Sequence, residues 1–246
     1  MPVITNKQQL LQHVQNVLRK KFALPGEPAV ASRPLLEELI YAICRENTTP
    51  AEATAAYERL VKSFFDWNEI RVSTVTEVAE VLQPLPQAGV RARRIIGLLQ
   101  KVFEERYSFS LDDLQKKGLK QAAKQLSRYK DDVNDFTVAW AVQRFLNGHA
   151  IPLDEAALRV LQRLGVIEEN IDPERLEAIR GSVEHMVTKA RAAEFTELIS
   201  LLAHEWCTVP APQCPQCPLR GDCPTGVHTT TGRKPEVRAR KPRTEK

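Results

Sequence analysis

Four of the chain's five cysteines fall within the seventeen residues from Cys207 to Cys223, spaced C-x6-C-x2-C-x5-C (Cys207, Cys214, Cys217 and Cys223). The intervening segments, Thr-Val-Pro-Ala-Pro-Gln, Pro-Gln and Pro-Leu-Arg-Gly-Asp, are too rich in proline, glycine and short polar residues to sustain a helix or strand of their own. Such a loop must be ordered by something that joins its thiols, so the fold has to bring four sulfurs to one place. Tetrahedral zinc and a [4Fe–4S] cluster both accept four cysteines. The usual zinc pattern has two tight C-x2-C pairs well apart, whereas here one tight pair lies between two wider gaps. Two disulfides are the third option. Met1-Pro-Val-Ile-Thr-Asn does not read as a signal peptide, so the expected compartment is the cytoplasm, where thiols stay reduced.

A chain of 246 residues can bury a full core, and no stretch is apolar enough to span a membrane. The net charge of +4 is unevenly spread. Residues 229–246 carry seven Lys/Arg against two Glu, a net of +5, which leaves the remaining body at −1. The tail is poor in apolar residues and rich in charge and proline. It is expected to be disordered and to bind polyanions without sequence preference.

The body reads as helices with short connections. Residues 6–22 place Leu10, Leu11, Val14, Val17 and Leu18 on one helical stripe. Residues 23–33 hold two prolines and a glycine and read as a linker. Leu35 to Cys44 is apolar on most faces, a buried helix in which Cys44 is a small core residue. Thr49-Pro50-Ala-Glu52 and Thr74-Val-Thr-Glu77 are capping-box starts. Pro84 to Gly89 breaks the chain before a helix over 90–107, and Ser110 caps a further segment. Two more helices are expected over 119–129 and 136–147. Asp154 follows an X-Pro step and opens another; Asp172-Pro173 opens a helix ending at Gly181, and a last one covers 183–206. No stretch alternates strictly enough to be a strand. The fold class is all-α.

Residues 126–165 carry a second signature, in which Asp154, Arg159, Val160, Arg163, Leu164 and Gly165 fit Asp-x-x-x-x-Arg-Val-x-x-Arg-Leu-Gly. Together with the cysteine loop, this segment resembles the endonuclease III superfamily of helix–hairpin–helix DNA glycosylases (the HhH-GPD type). Arg45-Glu46-Asn47-Thr48-Thr49 is similar to that family's Ser-Gln-Asn-Thr-Thr run. Ala88-Gly89-Val90 with Arg91 to Ile95 is similar to its Gly-Leu-x-x-x-Lys-Ala helix start. The resemblance covers about residues 10–225.

The resemblance implies two helical lobes. One is a bundle over 33–149 containing the hairpin; the other joins 1–32 to 150–228 and carries the cluster loop, followed by the disordered basic tail over 229–246. It selects a [4Fe–4S] cluster on Cys207, Cys214, Cys217 and Cys223, and it implies base excision from double-stranded DNA by a monomer. Asp154 is then the catalytic carboxylate that stabilises the oxocarbenium-like sugar, and one Asp can do this while capping a helix. Thr137 and Glu46 are further site candidates, and Arg91, Arg93 and Arg94 are candidate DNA contacts.

Three departures refine the reading. The lysine that bifunctional members use to form a Schiff base falls on Phe136 or Thr137, with Lys130 about two turns too early. A monofunctional, water-using glycosylase is therefore expected. Glu46 replaces the family's Gln; a carboxylate is costly in a DNA stack, and a solvated helix-end Glu is the expected place for it. The hairpin Pro-Gly-Val-Gly is replaced by Asp131-Asp132-Val133-Asn134-Asp135, whose three carboxylates are expected to weaken duplex affinity. The alternative in another class is a catalytically silent iron–sulfur module that kept the fold; a weaker third is an electron-transfer protein.

Overall fold

The computed structural model describes residues 6–22, 33–168 and 173–231. Every regular element among them is helical. The α-helices are α1 (Lys7–Lys21), α2 (Leu35–Arg45), α3 (Pro50–Ser63), α4 (Trp67–Val72), α5 (Val75–Leu82), α6 (Ala88–Arg106), α7 (Leu119–Leu126), α8 (Asp135–Arg144), α9 (Glu155–Arg163), α10 (Leu176–Met186), α11 (Lys189–Glu205) and α12 (Pro224–Thr231). No helix among the described residues is long and apolar enough to cross a membrane.

Local chemistry fixes the helix starts. Thr49 and Thr74 each accept the N3 amide, while Glu52 and Glu77 reach back to the cap amide, so both capping boxes form as the sequence predicts. Asn6, Asp66, Asn134 and Asp154 cap α1, α4, α8 and α9 through their side-chain oxygens.

Packing separates the apolar residues into two main clusters. One gathers α2 to α8 around Leu39, Ile40, Leu60, Ile95, Leu99 and Tyr129. The other joins α1 to α9, α10 and α11 around Leu11, Val14, Val160, Phe195 and Ile199, with Trp206 and Leu219 from the cysteine loop. The N-terminal helix thus spends its apolar stripe far along the chain. Gln15 donates to Glu194 (2.7 Å) and His13 lies 3.1 Å from Asp222 in the loop.

Three expectations change. Gly181 lies inside α10, which runs on to Met186, and α11 starts only at Lys189. The break falls at Val187-Thr188, because extended backbone at both residues ends one helix and caps the next. The short α4 had no periodic signal. The tail does not begin at 229, since residues 229–231 complete α12. Residues 232–246 and most of the linker, 23–32, lie outside the described residues.

Buried charge joins the two clusters. The Glu197 carboxylate of α11 accepts from Arg45 of α2 (2.8 Å) and from Arg144 of α8 (2.6 Å). Both guanidiniums lie on the Trp140 ring, at 5.7 and 4.9 Å from its centroid. The indole N–H donates to the buried Glu38 (2.6 Å). Two cations and two anions are therefore balanced around one aromatic ring, as burial of charge requires.

Removing Glu197 leaves two buried guanidiniums facing each other. Glu197→Ala is expected to cost about 3–5 kcal/mol, and Glu197→Gln less, because the amide oxygen still accepts. Urea unfolding of both variants against the parent measures it; equal midpoints would show that the pair carries no load.

Candidate active site

The two clusters meet at the turn after α2, residues 45–49. Asn47 takes the left-handed conformation (φ 55°), which short polar side chains tolerate better than most. That turn aims the Asn47 amide at Asp154, whose Oδ2 accepts it at 2.8 Å. Asp154 Oδ1 accepts from Ala157 N at 2.8 Å, and the Asn47 side chain accepts in return from Ala156 N at 3.2 Å. A 6% exposed carboxylate is thus held by backbone donors from two parts of the fold, at the positive end of α9.

Glu46, one residue away, is not the solvated helix-end side chain expected. Its Oε2 accepts from Arg94 Nη1 (2.6 Å) and its Oε1 from Asn134 Nδ2 (2.7 Å). Arg94 also donates to the Asp132 carbonyl (2.9 Å) and to the Thr137 hydroxyl (3.0 Å), which donates onward to Asn134 Oδ1 (2.9 Å). Thr137 is fully buried, and its hydroxyl is committed to this closed network. Phe136 belongs to the first hydrophobic cluster, its ring 6.0 Å from that of Trp140.

The three arginines in the first turns of α6 part company. Arg91 is buried and donates to the Ile43 carbonyl, to the Glu46 carbonyl (2.6 Å) and to the Pro86 carbonyl (2.8 Å). Desolvation lowers its pKa, against the pull of Glu46 and Asp154 among its neighbours. It braces the C-terminus of α2, where a cation is favourable, and has no face left for a ligand. Arg94 serves the network above; Arg93 is the exposed one.

The acidic hairpin is less repulsive than its sequence suggests. Lys101 lies 3.0 Å from Asp131 and 2.8 Å from Asp132, and its hydrogen bonds to both raise its pKa. Asp132 is buried against Gly97, where a Cβ would collide with its carboxylate. Asp135 remains exposed, at the first position of α8.

Cys207, Cys214, Cys217 and Cys223 all line one cavity, walled otherwise by apolar groups that include Val160, Leu164, Leu202 and Trp206. None of the four is in a disulfide. Burial pushes the Cys217 thiol up to about 11, and the other three cysteines add to the rise. Burial raises Cys223 as well. The two thiols so raised, Cys217 and Cys223, would ionise readily only beside a cationic centre. Among the described residues, however, no three His, Cys, Asp or Glu side chains stand in metal-holding geometry. Arg163 of α9 donates to the Cys207 carbonyl (3.0 Å) and sulfur (3.3 Å), so the helix that Asp154 opens also holds the loop. Cys44 lies in the first cluster, fully buried, its thiol pushed up to about 12 by desolvation.

No protein-family model matches the chain. The thymine-DNA glycosylase of Aeropyrum pernix is 24% identical over 188 residues, 75% of this chain and 80% of that protein. A trapped endonuclease III–DNA covalent intermediate matches with a TM-score of 0.68 at 19% identity, over 92% of this chain and 100% of that one. A thermostable thymine-DNA glycosylase matches with a TM-score of 0.61 at 17% identity, over 90% and 97%. The chain has the endonuclease III fold.

Within that endonuclease III fold, the structure brings Glu46, Thr137 and Arg94 into one polar network, and Asp154 accepts from the amide of Asn47, the residue next to Glu46 in the chain. Asn47 and Asn134 are the members that the sequence reading did not single out. Asn47 lies between a helix C-terminus and a Thr-Thr-Pro helix start, a place where αL Asn is common, and Asn134 followed by an apolar run is an N-cap signal.

The Asn47 corner can be tested by two substitutions. Asn47→Gly keeps the conformation and loses the acceptor for Ala156, at about 1 kcal/mol. Asn47→Ala adds left-handed strain of about 1–2 kcal/mol. Denaturant midpoints should therefore fall in the order parent, Gly, Ala; an alanine variant as stable as the glycine one would contradict the strained corner.

Proposed function

We propose that this protein is a DNA glycosylase of the endonuclease III type, hydrolysing the bond from base to sugar with water and without a lyase step. The observation that carries the reading is Asp154: a buried carboxylate held by two backbone N–H groups where the two hydrophobic clusters meet. The named relatives support it, since they are a thymine-DNA glycosylase and endonuclease III trapped on DNA. The two clusters support the division into a 33–149 lobe and a second lobe of 1–32 with 150–228.

Base excision requires a nucleotide turned out of the duplex and a sugar that becomes cationic as the base leaves. Asp154 supplies a fixed negative charge for that cation. Its donors are in place before the reaction, so little reorganisation is needed as charge develops. Each of its oxygens keeps a lone pair that can orient an attacking water. A lyase step would need an amine at the head of α8. Phe136 is packed in the core there, and the Thr137 hydroxyl already serves Asn134 and Arg94. The DNA backbone is met by Arg93 and by the cations of the tail, while Lys101 holds back two of the hairpin carboxylates.

The residues that would hold a [4Fe–4S] cluster are Cys207, Cys214, Cys217 and Cys223. These four thiols would hold such a group within the loop itself, and the group would supply the cross-link that orders the loop. Arg163 and Arg159 already tie the Cys207 carbonyl to α9.

Purified protein is to be assayed on duplexes bearing a panel of damaged and mismatched bases, a mismatched thymine among them, with separate readouts for base loss and strand cleavage. Base loss without cleavage is expected, with no borohydride-trapped adduct. Asp154→Asn should abolish base loss; its one oxygen can still cap α9 at Ala157, but its NH2 cannot accept from the Asn47 amide, so a stability cost of about 1–3 kcal/mol is expected beside it. Base loss that survives this substitution returns Asp154 to a purely structural cap.

Anaerobically purified protein should contain iron and matching sulfide. Cys214→Ser should lose both and unfold at lower temperature, since metal binding and loop order are coupled. Stoichiometric zinc without iron would refute the cluster.

A further inference from the structure

We propose that Arg94 is a positioning residue for Asp154, acting through Glu46 and the turn that joins it to Asn47. The inference rests on Asp154 being the reacting carboxylate. Arg94 spreads its donors over three elements: Nη1 to Glu46 at the end of α2 (2.6 Å), Nε to the Asp132 carbonyl of the hairpin (2.9 Å), and Nη2 to Thr137 of α8 (3.0 Å). A planar guanidinium cannot serve three partners in different directions unless all three are fixed relative to one another. Asn134 holds the second oxygen of Glu46 (2.7 Å), so that side chain has no rotameric freedom left. The next amide along the backbone is the donor to Asp154 Oδ2 (2.8 Å).

The relay is short. Arg94 and Asn134 fix Glu46; Glu46 fixes the register of the corner; and the corner fixes one of the two donors on Asp154. The pair is also shielded, with 15% of the Arg94 side chain and 17% of the Glu46 side chain exposed, so screening by solvent is limited. The charged groups that bear on Asp154 are Arg91, whose charge is coupled to both Asp154 and Glu46, the Glu46–Arg94 pair itself, and Glu155 in the first turn of α9. Freeing the corner withdraws the Asn47 amide from Asp154 and leaves Oδ2 without its fixed donor.

The test uses the full chain in the parent, Arg94→Gln, Arg94→Lys and Glu46→Gln forms. Single-turnover base release from a duplex that the parent processes should fall by roughly tenfold to a hundredfold in Arg94→Gln, the scale of a small misplacement of the reacting group. KM should hold. Arg94→Lys, which keeps the charge, should recover part of the loss. Glu46→Gln, which keeps the shape and one acceptor, should lie between Arg94→Gln and the parent. A KM increase at unchanged kcat would instead make Arg94 a DNA contact and overturn the proposal. NMR hydrogen exchange at the Asn47 amide, in the same variants without DNA, gives a readout that needs no activity, and faster exchange is expected in Arg94→Gln and Glu46→Gln. If the parent releases no base, the glycosylase reading fails, yet the NMR arm still decides on Arg94. Asn47 protection that is the same in the parent, Arg94→Gln and Glu46→Gln overturns the positioning role. Arg94→Lys and Glu46→Gln keep the comparison open should Arg94→Gln fold poorly.

Discussion

Everything at the junction of the two hydrophobic clusters depends on a single left-handed residue. At φ 55°, Asn47 turns the chain so that its own amide, rather than its side chain alone, faces α9. From that turn, Arg45 reaches back to Glu197, Glu46 reaches Arg94 and Asn134, and Thr48 returns its hydroxyl to the Cys44 carbonyl. Thr49 then starts α3 with a capping box. Five consecutive residues therefore spend their polar groups on different neighbours. A run like that cannot relax locally, because moving one residue breaks a bond on the next.

The junction is polar where a hydrophobic contact would have been simpler, and geometry accounts for that. Apolar packing is non-directional and allows two bundles to slide, whereas a carboxylate shared by two guanidiniums fixes angle as well as distance. Glu197, with Arg45 and Arg144 on the Trp140 ring, supplies that fixity at the cost of desolvating several charges. Such a cost makes sense where a carboxylate from one cluster must be aimed by an amide from the other.

What the sequence disclosed and what it hid follow from the range of each signal. Helices, capping boxes and the Asp154 cap are written within four or five residues, and they were legible. The cysteine loop was legible because its spacing is itself the signal. Arg91 and Glu46 were misleading because their partners lie far along the chain: Arg91 meets Ile43 and Glu46 across more than forty residues, and Glu46 meets Asn134 across 88. A polar side chain at a helix end looks solvated until the element that covers it is known. The same holds for the hairpin. Three carboxylates in five residues read as a repulsive patch, but the neutralising Lys101 and the gap at Gly97 that admits Asp132 belong to α6.

The cap that Asp154 forms and the catalytic part proposed for it look like rivals and make one physical demand. As a cap it must be ionised or at least accept from the amides of its own first turn; as an electrostatic partner for a developing cation it must be ionised and must not move. The Ala157 and Asn47 amides satisfy both demands, since each hydrogen bond that stabilises the fold also stabilises the negative charge. A carboxylate secured by backbone rather than by a cationic side chain also keeps its full negative charge for whatever approaches it. The nearby cation, Arg91, is turned instead to the carbonyls of Ile43, Glu46 and Pro86. Had Arg91 been paired directly with Asp154, the corner would have been more stable, and the carboxylate far less able to play the part proposed for it beside a cationic sugar.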